Sequence, residues 1–410
     1  MMVRTAAAIM LLCFNSITAA AAGGTIYAWW SSLWGPPDPD AGTTIFPSLE
    51  VPLGGRLEGM GTASTALAAD AGYLEANPAV TSLLDSTELA FSHHAWIADT
   101  SLEGVIYTVR FDDLGIGFGG RFLYVPFTGY DEWGERASRG TISETVVTAN
   151  VAYNLGRNYS FPGIAMGLSL KGAYRHVPSD IAAGQSILGV MIDGGLQTSW
   201  SMLKAQRWSL PNWSFGVAVK NLGLSTMSDE SLPLTASAGL AYSPIRALTM
   251  ATDFNLPLSL EAAPAWEYFD WAVGVNVAVA EFLSVQGGFH LKPGNPRMSL
   301  GADVDFGTVS VNANYNLDMS ALARNPVDKF SVQARLDLGD RGRAENRRLA
   351  DEKYAEGLRQ FSLGNLQKAI ELWTEVLKLD PTYTPARKYR AIAETTWKAQ
   401  EEARRAGTGQ

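Results

Sequence analysis

Between Glu88 and Gly339 apolar and polar residues alternate with a period of two. In "GIAMGLSLKGAYRHV" the residues Ile164, Met166, Leu168, Leu170, Gly172 and Tyr174 share one face of a strand, and Ala165, Gly167, Ser169, Lys171, Ala173 and Arg175 share the other. "DWAVGVNVAVA" sets Trp271, Val273, Val275, Val277 and Val279 against Ala272, Gly274, Asn276 and Ala278. In "TVSVNANYNLD" the opposed set is Ser310, Asn312, Asn314 and Asn316. An asparagine row turned into an apolar core leaves amides unsatisfied, whereas turned toward the water of a lumen it costs little. The apolar face is therefore expected outside and the polar face inside, as in a transmembrane β-barrel.

The alternating runs number roughly fourteen, each of about ten residues, which suits a tilted membrane strand. They begin near Glu88, Glu103, Gly115, Thr141, Gly163, Gly184, Trp213, Pro233, Ala247, Phe269, Glu281, Arg297, Thr308 and Lys329. Tight connections at Asp112, Ser243, Ala280 and Gly307 alternate with long ones from Val125, Pro257 and Asp318. In an outer-membrane barrel, short turns face the periplasm, so both ends of the 88–339 barrel are expected there.

Beyond Gly339 the pattern becomes charged and helical. Gly357, Gly364, Ala369, Trp373 and Pro381 occupy the small, aromatic and proline places of a 34-residue tetratricopeptide repeat, so 340–410 is expected to be a small α-helical tail on the periplasmic side. A lone repeat buries little. Docking on a periplasmic protein, with Trp373 and Tyr383 as candidate partner-binding residues, and pairing with a second copy both answer that need.

The front of the chain follows neither period. Residues 1–22 carry Arg4, an apolar stretch and a run of alanines, the layout of a secretory signal, and 23–53 with "WGPPDPDAG" reads as a stiff linker. Trp29, Trp30 and Trp34 on that linker have the alternative of touching the membrane interface. Cys13, the single cysteine, lies within the signal. Export therefore leaves no thiol for a disulfide, a metal or a nucleophile. The net charge of −9 speaks against nucleic acid as a partner. With only 18% charged residues and abundant Gly and aromatics, the composition favours a barrel over a secreted globule.

"GRLEGMGTASTALAADAGYLEANPA" then supplies a resemblance. Gly59-Met60-Gly61, Ala63 to Ala69, Asp70-Ala71 and Asn77-Pro78-Ala79 resemble the amino-terminal hatch of the FadL family of outer-membrane long-chain fatty-acid transporters, including FadL-like paralogues of treponemal spirochaetes. The signature is similar in PorV-like proteins that assist protein secretion. The resemblance implies a hatch over 54–87, in which Gly59 and Gly61 make turns of positive φ, the alanines form a slim helix, and Pro78 keeps Asn77 extended. It further implies an outer-membrane location among lipid, diffusive uptake of a long-chain fatty acid or similar hydrophobic solute without cofactor or energy coupling, and a lateral opening at a kinked early strand. Gly117, Gly119, Gly120 and Pro126 are the candidates for that opening. The other reading of the alternate glycines is clearance for the hatch. A PorV-like role implies instead a platform for secretion partners, and a third reading is a membrane anchor for the tail.

By alternation Arg110, Arg121, Lys171, Arg175, Lys220, His290, Lys292 and Arg335 point inward. Lumen cations are mostly paired with acids, with Asp303, Asp305 and Asp337 to hand, yet a fatty-acid carboxylate needs one or two of them. The candidates are Lys171 and Arg175, with Arg110 and Lys220 behind them. His93 and His94 project to opposite faces and cannot share a metal. No metal site and no catalytic assembly is expected.

Overall fold

The computed structural model describes residues 44–95, 100–130, 132–179, 184–203, 211–226, 231–258, 269–292, 295–319 and 328–407. The expected signal, Cys13 and the tryptophans at 29, 30 and 34 lie outside them. The chain divides into two units, one reaching to Asn154 and from Ala165 to Leu338, the other combining Leu155–Ile164 with everything from Gly339.

The first unit is a closed antiparallel barrel of fourteen strands: β1 (Glu88–Ala95), β2 (Ser101–Phe111), β3 (Leu114–Tyr130), β4 (Arg136–Leu155), β5 (Ile164–His176), β6 (Ile187–Trp200), β7 (Trp213–Ser225), β8 (Thr235–Ile245), β9 (Leu248–Pro257), β10 (Asp270–Ala280), β11 (Leu283–Leu291), β12 (Arg297–Asp305), β13 (Val309–Asp318) and β14 (Lys329–Asp337). Each strand pairs with its sequence neighbours, and β1 closes the sheet on β14 from Glu88↔Asp337 to Ala95↔Phe330. On β5 exposed and buried residues alternate in the expected phase, with Leu168 and Leu170 out and Ser169 and Lys171 in. The outward apolar side chains face lipid, and closure leaves no open edge.

The connection expected from Val125 is largely strand. β3 and β4 run to 17 and 20 residues and remain paired out to Tyr130↔Arg136. Pro126 is tolerated because the β2 ladder ends at Ser101↔Tyr124, so beyond it β3 has a partner on one side only.

The front of the chain lies inside the barrel and forms a plug. Buried structure begins upstream of Gly54: Ile45, Phe46 and Ser48 are fully buried, with a 3-10 turn at Pro47–Glu50. It continues through one helical turn, α1 (Arg56–Gly59), and two further 3-10 turns, Ala71–Glu75 and Pro78–Ser82. The run from Ala63 to Ala69 is not the expected helix. Its backbone groups are taken by the barrel instead: Asp253 accepts from the amides of Ser64 (2.8 Å) and Thr65 (2.7 Å), and Gln197 and Ser214 donate to the carbonyl of Ala66.

The second unit carries α2 (Arg343–Ser362), α3 (Leu366–Leu379) and α4 (Thr384–Gly407). Its core joins Ala350, Ala369, Trp373, Val376, Tyr383, Ala386 and Ala393. Gly357 gives Trp373 its place, since a Cβ there lies 2.4 Å from the indole Nε1. Gly364, at φ +80, turns the chain after α2. Trp373 is fully buried and the Tyr383 hydroxyl donates to Asp351 at 2.9 Å. Both offered themselves as partner-binding residues, but they are spent on holding the helices together.

Candidate functional site

The plug enters the barrel near the β7–β8 connection, where the Ile45 amide donates to Ser231 O at 3.1 Å, and leaves near the β2–β3 turn. At the exit Arg110 donates to the carbonyls of Leu83 (3.1 Å) and Leu84 (3.0 Å) and of Asp112 (2.6 Å). Arg110 is thus a fastener for the end of the plug.

Between these points charged pairs bind the plug to strands on several sides. Arg56 pairs with Asp303 on β12, Glu75 with Arg121 on β3, Asp70 with Arg335 on β14 (3.0 Å), and Glu50 with Lys292 after β11 (3.2 Å). Glu58, fully buried, meets His94 of β1 at 2.9 Å and accepts from Asn316 and Ser331. Asn314 donates to Gly55 O at 3.0 Å. The asparagine row of β13 therefore serves as a set of sockets for the plug, not as a water-facing lining. His93 points outward to Glu103, so the two histidines part as alternation requires.

Shape seconds charge. Inward glycines at 115, 167, 216, 274 and 288 lie so close to the plug that an added Cβ meets its backbone at 2.1–2.3 Å. The hatch residues fit into this socket. Gly61 has φ +63, as expected, but Gly59 is helical and is glycine because a Cβ falls 2.7 Å from Asn314 Oδ1 and 3.2 Å from Gly301 Cα. Asp70 caps the turn after it by accepting from Gly72 N (3.0 Å). Asn77 is extended, accepts from Ala79 N (3.1 Å), and donates to Thr65 O (2.8 Å) and Leu196 O (3.1 Å). Pro78 starts the last 3-10 turn, its carbonyl accepting from Asn150 (3.0 Å).

On the side of the β7–β8 and β9–β10 connections the plug leaves a chamber of about 380 Å³. Leu49, Leu57, Leu232 and Leu234 line it together with Lys171, Lys220, Asp253 and Asp270. Of the candidate ligand residues the chamber brings together Lys171 and Lys220, and not Arg110 or Arg175. Lys171 and Arg175, which have no acid on their own strand, find one on each neighbouring strand: Asp193 of β6 lies 2.6 Å from Lys171, and Glu144 of β4 lies 2.8 Å from Arg175. Lys220 differs. Among the described residues its ammonium has no ion-pair or hydrogen-bond partner, while it borders the chamber. Asp253 and Glu58, central to the site, escape notice in the sequence because nothing local marks an inward acid as the partner of a distant amide.

The ladder of β3 is unbroken past Gly117, Gly119, Gly120 and Pro126 on its β4 side, from Leu114↔Tyr153 to Gly129↔Ser138. Gly117 gives room to Leu74 and Thr81 of the plug, and Gly119 stands 3.5 Å from Glu75 by its missing Cβ. Among the described residues no group of His, Cys, Asp and Glu is arranged to hold a metal.

A family model described as an uncharacterised protein family, UPF0164, matches residues 37–338. The chain belongs to the UPF0164 family. The match spans the plug and every strand described above. UPF0164 relatives in Treponema pallidum (strain Nichols) include one 28% identical over 82% of this chain and 79% of its own length, and another 24% identical over 83% and 73%. Among solved structures, the Pseudomonas putida toluene transporter TodX is similar at 13% identity with a TM-score of 0.46, over 68% of this chain and 96% of its own. CdiB from Acinetobacter baumannii is similar at 9% identity with a TM-score of 0.38, over 61% and 60%. These two likenesses are too distant to assign a function to the UPF0164 chain.

Proposed function

We propose that this protein is an outer-membrane transporter for hydrophobic solutes, and that its solute is a long-chain fatty acid taken into the chamber above the plug. Lys220 carries the reading. A half-buried cation without an ion-pair partner among the described residues, beside leucine-lined space, suits a ligand with one carboxylate and an apolar chain. Lys171, already held by Asp193, sets the local positive field rather than the contact. Transport of this kind is diffusive and uses no cofactor.

The test is a titration of the detergent-purified protein with a fluorescent long-chain fatty acid. Saturable binding, competed by unlabelled fatty acid and weakened about tenfold or more in Lys220→Ala, is the expected result. Arg175→Ala, outside the chamber, should leave affinity unchanged. A folded barrel that shows no saturable binding overturns the reading.

That outcome favours the second reading, a platform for secretion or assembly with the helical unit in the periplasm holding a partner. The density of bonds between plug and wall supports it, since a platform needs no passage.

A further inference from the structure

The β6–β7 ladder is interrupted at one place. Pairing runs from Gly189↔Ser225 to Ile192↔Leu222 and resumes only at Gly194↔Val219, so Asp193 on one strand opposes both Lys220 and Asn221 on the other. Asn221 sits at φ 63, in the left-handed region that Asn enters more readily than most residues. Side chains replace the ladder here. The Asn221 amide donates to Asp193 Oδ1 (2.7 Å), Lys171 donates to Asn221 Oδ1 (3.0 Å), and Asn221 Nδ2 donates to Pro233 O (3.0 Å).

The chamber lies against the inner side of this break, with Lys171, Lys220 and Asn221 in its lining. Against the outer, lipid-facing side lies a groove of about 1030 Å³. Small residues, Gly194, Ala236 and Ala238, form its floor, and Leu168, Leu196 and Phe254 stand at its sides. Asn255 borders both spaces, bonded to Ser237 and Asp270 at 2.6 Å each. A wall one residue thick thus separates Lys220 inside from an apolar trough outside.

We propose that the interrupted β6–β7 stretch is a lateral portal, through which the alkyl chain of a single-chain carboxylate, first bound in the chamber with its head group on Lys220, passes into the outer groove on its way to the bilayer. The proposal rests on the transport reading above. Charge selects the occupant: an ammonium without an ion-pair partner among the described residues matches one carboxylate, and the groove reaches the upper end of the roughly 300–1,000 Å³ of small-molecule pockets. The portal opens from the chamber, on the near side of the plug. Passage to the bilayer therefore requires no displacement of the plug, and it does not use β3, whose ladder is continuous.

The experiment compares binding of a fluorescent long-chain fatty acid in detergent with its transfer into the bilayer of proteoliposomes. Ala238→Trp fills the groove from outside. It should bind within about twofold of the natural protein and transfer about tenfold or more slowly. Gly172→Trp, also outward but with open space around it, should match the natural protein in both. A cysteine pair, Ile192→Cys with Leu222→Cys, pins the strands beside the break, and transfer should fall on oxidation and recover on reduction. Natural transfer rates in both Ala238→Trp and the oxidised pair overturn the portal, as does slow transfer in Gly120→Trp instead, which returns the exit to β3. Displacement of the fatty acid by phosphatidylglycerol as effectively as by unlabelled fatty acid overturns the single-chain occupant. Loss of all saturable binding in the natural protein sinks the transport reading itself, and the portal with it.

Discussion

The plugged barrel and the helical unit differ in how much polar chemistry they bury. Inside the barrel fully buried polar residues, Glu58, Ser48, Asn77 and Thr81 among them, sit beside apolar clusters such as Ile45, Phe46 and Ile187, while further apolar residues crowd the outside. In the helical unit the order is the familiar one, with Trp373, Val376 and four alanines inside and Glu–Arg pairs such as Glu345–Arg348 on the surface. Solvent makes the difference. A lipid-facing sheet has no need to hide apolar side chains, so specificity must come from hydrogen bonds and charge pairs that tolerate no substitute.

That contrast can be broken at graded cost. Trp373→Ala removes the centre of the helical core and should cost about 3–5 kcal/mol, read as loss of the 222 nm helical signal while the strand signal persists. Glu58→Ala leaves Asn316, Ser331 and His94 facing an empty place; we expect about 2–4 kcal/mol of lost resistance to guanidinium in micelles, with ion conductance in planar bilayers rising as the plug loosens. If conductance and stability are both unchanged, the plug is not held by charge. Gly274→Val drives a side chain into Met60 O and should cost about 1–3 kcal/mol by the same unfolding assay, whereas Gly172→Val should be silent. Tyr383→Phe loses one hydrogen bond to Asp351, about 1 kcal/mol. Burial and the Asp351 carboxylate push the Tyr383 phenol up, so its contribution is complete below the ordinary tyrosine value of about 10 and declines as pH rises above it. A pH titration of the 222 nm signal should therefore show an alkaline loss that is smaller in the Phe variant.

The sequence made the strands legible because a period of two is a local property. The starts of β1, β7, β12 and β14 fall on Glu88, Trp213, Arg297 and Lys329, the residues where alternation begins. It concealed the pairings, which belong to three dimensions. Nothing near Lys171 announces Asp193, and nothing near Ser64 announces Asp253, 189 residues further along the chain on β9. The alanine run misled for the same reason, since its propensity for helix yields to contacts with barrel residues distant in sequence, Asp253, Gln197 and Ser214. Lys220 looked like its neighbours, and only the absence of an ion-pair partner among the described residues sets it apart.

The course of the plug bears on how the molecule is made. The segment passes from the rim near Ser231 to the rim near Leu84, then runs directly into β1, while Glu58 and Asp70 reach across to Ser331 and Arg335 on β14. A cylinder already closed could receive such a segment only by having it drawn along the bore from one rim to the other. Wrapping the sheet around the segment involves no threading, and the bonds from the plug to β14 then form at the seam where first and last strands meet. Order of assembly follows from topology: the filling comes first, and the last strand is the latch.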